Sequence, residues 1–358
     1  MTDTLQTTEY LIAPDAQIVC DVAADIGNAR TVILVRTDAD PLPIVVQLPS
    51  FRSLHGAFSY EVFADRALPS GSWSALKRDE HVIERDGLDR FVGRLAVERS
   101  TAASSGRGSD ARYHDGTTLD FILAGVASAL SGASKIAVNL RTMIPISLWH
   151  LAPQVQAALK GSYPIRYNGR DVTITIRSVV VRREAEAAFD ALDGDTTGPL
   201  VLIDGGGRTV NVALFRDGVY RTGATLELGV QAALDNLDRA LIGRGLRALS
   251  LVERDELEAA LIAGREYRYI CNGQPVRVDQ DARTQLDATA HALCQELSAK
   301  VPISQARRVV FVGGAAYDAL FGAVVKAEIG RCETAGLREL ANVYGVLGAV
   351  PVKKAKRK

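Results

Sequence analysis

Two acids sit where an apolar run breaks into glycine. Val201 to Ile203 leads into Asp204-Gly205-Gly206-Gly207-Arg208-Thr209, after which Val210, Val212 and Leu214 resume with alternation. Ile18 to Ala24 leads in the same way into Asp25-Ile26-Gly27-Asn28-Ala29-Arg30-Thr31, followed by Val32 to Val35. Each stretch reads as strand, glycine turn, strand. Glycine lets backbone N–H groups approach an anion because no Cβ intervenes, and the Thr209 hydroxyl adds a donor. An acid at the mouth of such a turn repels a bare phosphate, so it makes sense with a divalent cation between acid and phosphates. The implied ligand is a magnesium nucleotide. The same residues also suit an ordinary glycine-rich hairpin with the aspartate as a turn residue, so the choice depends on the surrounding chain.

Around these hairpins the pattern is that of an α/β protein. Two similar acid-glycine hairpins suggest an internal duplication. Val309 to Val312 runs straight into Gly313-Gly314-Ala315-Ala316 and then a helix carrying Leu320, Val324 and Val325. Small residues there let a helix start against a flat ligand, with its free N–H groups facing it, although Gly-Gly before a helix also serves close packing. Gly229 precedes a helix marked by Leu234, Leu237 and Leu241, and further helices are expected over 254–263 and 287–301. Leu119 to Leu130 has helical spacing, Lys135 to Leu140 is a candidate strand, and Asn168-Gly169 between extended runs signals a hairpin. The Ser-, Gly- and charge-rich stretch 100–118 reads as a mobile loop. Glu184, at the start of an Ala-rich segment, suits a first-turn helix acid on its own pattern. Tyr267 and Tyr269, beside arginines, suit either stacking on a base or a half-buried strand face.

The 358 residues suffice for two domains of ordinary size. Lys+Arg and Asp+Glu are both 42, so no global field draws the chain to nucleic acid or membrane. The four cysteines lack paired spacing for zinc or redox chemistry, the five histidines lack ligand spacing, and no apolar run reaches a membrane span. A reduced cytoplasmic protein is the expectation, without direct nucleic-acid binding.

Two acid-glycine hairpins, a strand leading to Gly313-Gly314-Ala315 and a final Ala341-Asn342-Val343-Tyr344-Gly345 helix occur in that order. This order resembles the nucleotide-binding pattern of the actin, Hsp70 and sugar-kinase superfamily. The resemblance runs from about Ile18 to Ala349. It makes Asp25 to Thr31 similar to the first phosphate loop, Asp204 to Thr209 to the second, and Val312 to Ala316 to the adenosine motif. Lys135 to Arg141 and Leu337 to Gly345 resemble the two segments that connect the domains. The Pro49-Ser50 step and Val180-Val181-Arg182-Arg183-Glu184 after the Asn-Gly hairpin look like bacterial and archaeal actins of the ParM type.

The implied fold is α/β, two actin-like domains, each a mixed sheet flanked by helices, with a nucleotide cleft between. The expected layout is a leader over 1–17, domain I over 18–195 with an inserted small subdomain at about 41–98, and domain II over 196–336. A helix over 337–350 returns to domain I and a basic tail follows over 351–358. The implied activity is hydrolysis of ATP, with GTP as the alternative, coupled to filament formation in plasmid segregation or a related prokaryotic cytoskeletal role. A DNA-bound adaptor would be the partner. The resemblance gives Asp25 and Asp204 to Mg²⁺ through water and Glu184 to the attacking water. Gly27, Asn28, Gly205, Gly206, Gly207 and Thr209 fall to the phosphates. Gly229, Gly313, Gly314 and Ala315 lie along the nucleotide. Three departures stand out: Val32 where many relatives have lysine, Arg183 in place of a proline, and Asn139-Leu140-Arg141 in place of a Gly-Leu-Pro step. Arg141 is the candidate for the missing charge, against a plain surface arginine. A non-polymerising nucleotide-binding module and a small-molecule kinase are the rival functions.

Overall fold

The computed structural model describes residues 17–27, 30–54, 80–99, 104–105 and 110–348. Asn28, residues 1–16 of the expected leader and the basic tail lie outside the described residues, while Gln17 opens the first strand.

The first sheet is built from β1 (Gln17–Ile26), β2 (Arg30–Thr37), β3 (Asp40–Pro49), β4 (Phe51–Leu54), β5 (His81–Arg85), β6 (Leu88–Val92), β7 (Ser104–Ser105), β8 (Lys135–Ile144), β9 (Gly161–Tyr167) and β10 (Arg170–Arg183). Their order across the sheet is β3-β2-β1-β8-β10-β9-β5-β6-β4-β7. The second contains β11 (Pro199–Gly205), β12 (Val210–Arg216) and β13 (Val219–Leu226), then β16 (Arg308–Val312) and β17 (Cys332–Thr334), in the order β13-β12-β11-β16-β17. Between them in sequence, β14 (Arg268–Cys271) and β15 (Gln274–Arg277) form a separate hairpin. The helices are α1 (Arg94–Arg99), α2 (Thr117–Ala129), α3 (Ala152–Leu159), α4 (Glu186–Phe189), α5 (Val230–Gly243), α6 (Leu251–Ile262), α7 (Asp279–Lys300), α8 (Phe321–Ile329) and α9 (Ala341–Leu347).

The duplication suspected from the two hairpins is visible in the pairing. β3-β2-β1 are successively antiparallel and β1-β8-β10 parallel, while β13-β12-β11 are antiparallel and β11-β16-β17 parallel. Period-two alternation in β1 puts Val22, Ala24 and Ile26 on the face covered by Phe121, Ile122 and Leu123 of α2, and Ala23 on the other, toward Val343 and Val346 of α9. Gly125 of α2 sits so close to β2 that an added Cβ would stand 2.2 Å from Ile33 Cδ1. In the second sheet Val201, Ile203, Val210 and Val212 pack on α5, α7 and α8, and Leu200, Leu202, Ala213 and Val310 face Ala185, Ala188 and Ala341. Thus α4 and α9 form a thin layer of small residues lying against both sheets.

Several expectations change here. Of the stretch 41–98 read as an inserted subdomain, 55–79 lies outside the described residues; its start, 40–49, is the strand β3, in register with β2 from Arg30↔Pro49 to Thr37↔Asp40, and Ile44 and Val46 pack on the core under α2. Beyond it, β4 to β6 extend the same sheet through β5 and β9 instead of leaving it. The stretch 100–118 is not simply loop: Ser104–Ser105 pairs with β4, Asp110–Tyr113 is a 3₁₀ turn, and α2 begins at Thr117. Lys135 to Arg141 is not a connection between sheets. It is the start of β8, whose Ile136, Val138 and Leu140 are buried between β1 and β10. The chain crosses to the second sheet after β10, through α4.

Candidate functional site

The two hairpins bring their acids to the layer between the sheets. Asp25 pairs across the first hairpin with Val32, and Asp204 lies between Asn211 and Val312 in the second sheet. One amide touches both acids: Asn342 Nδ2, at the start of α9, donates to Asp204 Oδ2 at 2.8 Å and to Asp25 Oδ2 at 3.3 Å. The same side chain's Oδ1 is buried with no hydrogen-bond partner among the described residues.

Glu184 joins them from the end of β10. Its N–H donates to Ile144 O at 2.9 Å, and the next residue, Ala185, takes φ 64 and ψ −41. With Glu186 N–H donating to Glu184 O at 2.8 Å, this is a γ-turn at a non-glycine residue, a strained geometry that persists only when its surroundings impose it. The surroundings that impose it are close on both sides: Ala185 is fully buried against the second sheet, and its carbonyl accepts from Phe189 N at 3.1 Å. Glu184 itself accepts from Asn211 Nδ2. Asn211 is held in turn, its Oδ1 accepting from Thr225 Oγ1 at 2.6 Å and from the Ile146 N–H at 3.2 Å.

Burial pushes all three carboxyls up. Asp25 is raised to about 7, by desolvation first and the Asp204 charge second, with the Asn342 bond and Arg112 acting against. Glu184 stands well above the usual range for desolvation and for the Asp25 and Asp204 charges. Asp204 is raised by desolvation against the bonds from Asn342 and Ala185. Three acids sharing a poorly solvated space hold a proton or attract a cation. Among the described residues no three His, Cys, Asp or Glu side chains form a ready metal cage.

The glycines divide by role. A Cβ on Gly27 would lie 2.5 Å from Arg30 O, so glycine is required for the tight first hairpin. Gly205 fits against Phe311 and Ala315, where a Cβ would be 2.6 Å and 2.8 Å away. Gly206 N–H donates to Thr209 O at 2.9 Å, so it closes the turn instead of pointing outward as expected for a phosphate donor. The Arg208 and Gly207 carbonyls accept from Gly229 N and Gln231 N, tying the turn to the start of α5. Gly229 is needed for that contact: its Cβ would stand 2.5 Å from Gly207 O. Gly313, at φ 83, passes beside Asp204, where a Cβ would be 2.6 Å from Oδ1, whereas at Gly314 a Cβ would meet nothing within 4 Å. Ala315 is buried in the second core.

Other expectations are reassigned. Arg141 Nη1 donates to Val346 O and Leu347 O, capping the end of α9, so it does not supply the missing charge. Tyr269 is buried with its hydroxyl on Arg247 O, and Tyr267 donates to Glu256; both serve the β14-β15 hairpin and not a base. Arg183 stacks on Trp149 at 4.0 Å and on Tyr220 of β13 at 4.9 Å, tying the two halves together where a proline was noted to be usual. Three polar residues were not singled out. Asn342 lies in the final Ala341-Asn342-Val343-Tyr344-Gly345 helix, Asn211 is the one amide in an apolar strand, and Arg112 stands among other charged residues with no distinguishing pattern.

The two related sheets, the crossing layer of α4 and α9 and the paired acids between them define an α/β, two-domain actin-like fold. No protein-family model matches the chain, and no curated protein matches it by sequence. Among solved structures it is similar to Ta0583, an archaeal actin homologue, with a TM-score of 0.70 and 16% identity over 92% of this chain and 98% of the other. The actin-like protein Alp7A aligns with a TM-score of 0.63 and 18% identity, over 93% and 95% of the chains. A Bacillus thuringiensis ParM with ATP aligns with a TM-score of 0.62 and 15% identity, over 92% and 97%. The motifs and these structures therefore agree on the actin-like fold. Among the described residues no helix is long and apolar enough to cross a membrane.

Proposed function

We propose that this chain is a nucleotide-dependent ATPase that assembles into filaments, in plasmid segregation or a related cytoskeletal task. The observation that carries the reading is the bridge from Asn342 to Asp25 and Asp204, which joins the two glycine hairpins at one point. Similar structures solved with ATP and with ADP support a nucleotide in this cleft. GTP is the alternative to ATP. Mg²⁺ fits the donor set: two carboxylates whose ionisation burial opposes and an orphaned amide oxygen each gain from a cation, and the lack of a protein cage suits an ion that keeps its waters. Bound there by Asp25 and Asp204, it would offset phosphate charge.

Each residue then has a task. The Gly27 and Gly205 to Thr209 turns bring backbone to the phosphates, and Gly313 and Gly314 leave room for the nucleoside. Glu184, fixed by Asn211, orients the attacking water, a positioning and electrostatic role. Filament contacts need a second copy, and a DNA-bound adaptor would link the filament to cargo.

A second reading, a nucleotide-binding module that neither turns over nor assembles, is favoured by one observation, the burial of Val32 where a phosphate cation would stand. Sedimentation and negative-stain microscopy with Mg-ATP, Mg-ADP or no nucleotide, beside phosphate release, separate the two. The expected result is ATP-dependent filaments, with Glu184→Gln slowing phosphate release about a hundredfold or more while filaments persist. Nucleotide binding without filaments or turnover would establish the silent module.

A further inference from the structure

Arg112 is an arginine buried beside the first hairpin. It lies in the 3₁₀ turn Asp110–Tyr113, and its side chain reaches the turn between β1 and β2. Nη1 donates to Ile26 O at 2.9 Å, the carbonyl immediately before Gly27, and Nη2 donates to Tyr113 OH at 2.6 Å. The guanidinium carbon stands 4.7 Å from the Tyr113 ring centre. Its main chain is anchored to α2, where Thr118 Oγ1 donates to Arg112 O at 2.9 Å. Only 6% of the residue is exposed. The negative charges of Glu184 and Asp25 act on it there. Burying a guanidinium costs several kcal/mol, on the order of the penalty for any desolvated ion, unless its surroundings are built for it.

We propose that Arg112 grips the terminal phosphate of a bound nucleoside triphosphate, supplying from a separate turn the cation that Val32 cannot. This rests on the nucleotide-binding reading above. The geometry supports it in three ways. The guanidinium adjoins the backbone of the first hairpin, which is where the phosphates approach. Its acceptor Ile26 directly follows Asp25, the acid that Asn342 bridges to Asp204, so the guanidinium stands beside the acid pair. A planar fork of N–H donors matches a phosphate's oxygens better than a point charge does. Without nucleotide, the guanidinium donates to Ile26 O and Tyr113 OH. With a triphosphate present, the phosphate oxygens compete for it.

The test is isothermal titration of the full chain with AMP-PNP and with ADP, both with Mg²⁺, for wild type, Arg112→Gln and Arg112→Lys, each first shown folded by a cooperative melt. The expected result is that Arg112→Gln lowers the preference for the triphosphate over the diphosphate at least tenfold, with ADP affinity much less affected. Should the glutamine variant unfold, Arg112→Lys carries the test, and its preference falls at least threefold because lysine lacks the fork. An unchanged preference, or equal loss for both nucleotides, overturns the role and leaves Arg112 a structural counter-charge. Wild type binding neither nucleotide overturns the nucleotide reading itself, a distinct outcome.

Discussion

Val32 is the register partner of Asp25 across the first hairpin, and its side chain is buried at 2% exposure in the cluster of Ala23, Leu34, Val343 and Val346. The position beside the first acid is therefore apolar core. The lysine that the resemblance leads one to expect here should harm this chain: Val32→Lys is expected to cost roughly 3 kcal/mol by placing an ammonium in that cluster. Urea denaturation measures it. Unchanged stability together with tighter nucleotide binding would mean that the position opens onto the cleft.

The three acids predict a pH dependence with a definite sign. Asp25 is raised to about 7, and Glu184 and Asp204 are raised as well. The folded, ligand-free chain thus holds protons that the unfolded chain releases near pH 4. This contribution is fully present below about pH 4 and is lost as pH rises toward and through 7. Each such group changes stability by at most about 1.4 kcal/mol per pH unit. Between pH 5 and pH 7 the wild type should lose more stability than Asp25→Asn. Parallel melting profiles for the two proteins would count against the burial of this acid.

Backbone contact between the two crossing elements gives a prediction against propensity. Alanine replaces glycine in a helix with a gain of about 1 kcal/mol. At Gly345 of α9, however, the added Cβ would stand 1.8 Å from Ala187 O of α4. Gly345→Ala should therefore destabilise, by about 3 kcal/mol or more, while Gly243→Ala in α5, where nothing lies within 4 Å, should not. Thermal melts of both variants compare the signs directly; a stabilised Gly345→Ala would refute the contact.

The parts of the site that were legible in the sequence are the local ones. Asp25 with Gly27, Asp204 with Gly205, and Gly313 each announce a tight passage within a few residues, because a Cβ at Gly27, Gly205 or Gly313 would collide with its neighbours. The residues that bind these turns together come from far along the chain. Asn342 lies 138 residues from Asp204 and 317 from Asp25, and Arg112 lies 86 from Ile26. No local spacing records such a meeting. Lys135 to Leu140 is a strand as its alternation suggests, but an alternating run does not tell a connector from a central strand, and only its pairing on both edges places it inside the first sheet. Arg112 was hidden by its neighbours, since a turn rich in charge and glycine has the composition of a solvated loop whichever way one guanidinium faces.

The Asn342 amide also works as a gauge. Val343, Val346 and Leu347 fasten α9 to the first sheet, while the shorter of the two amide bonds, 2.8 Å against 3.3 Å, runs to the acid of the second. The helix is thus mounted on one half of the molecule and reads its spacing from the other. Ala341 at the start of the same helix packs on the second sheet as well, so the Asp204 bond and this contact both follow the spacing of the halves. The spacing of the two acids is reported at one side chain, and the helix carrying that side chain ends at Arg141, back in the sheet on which it rests.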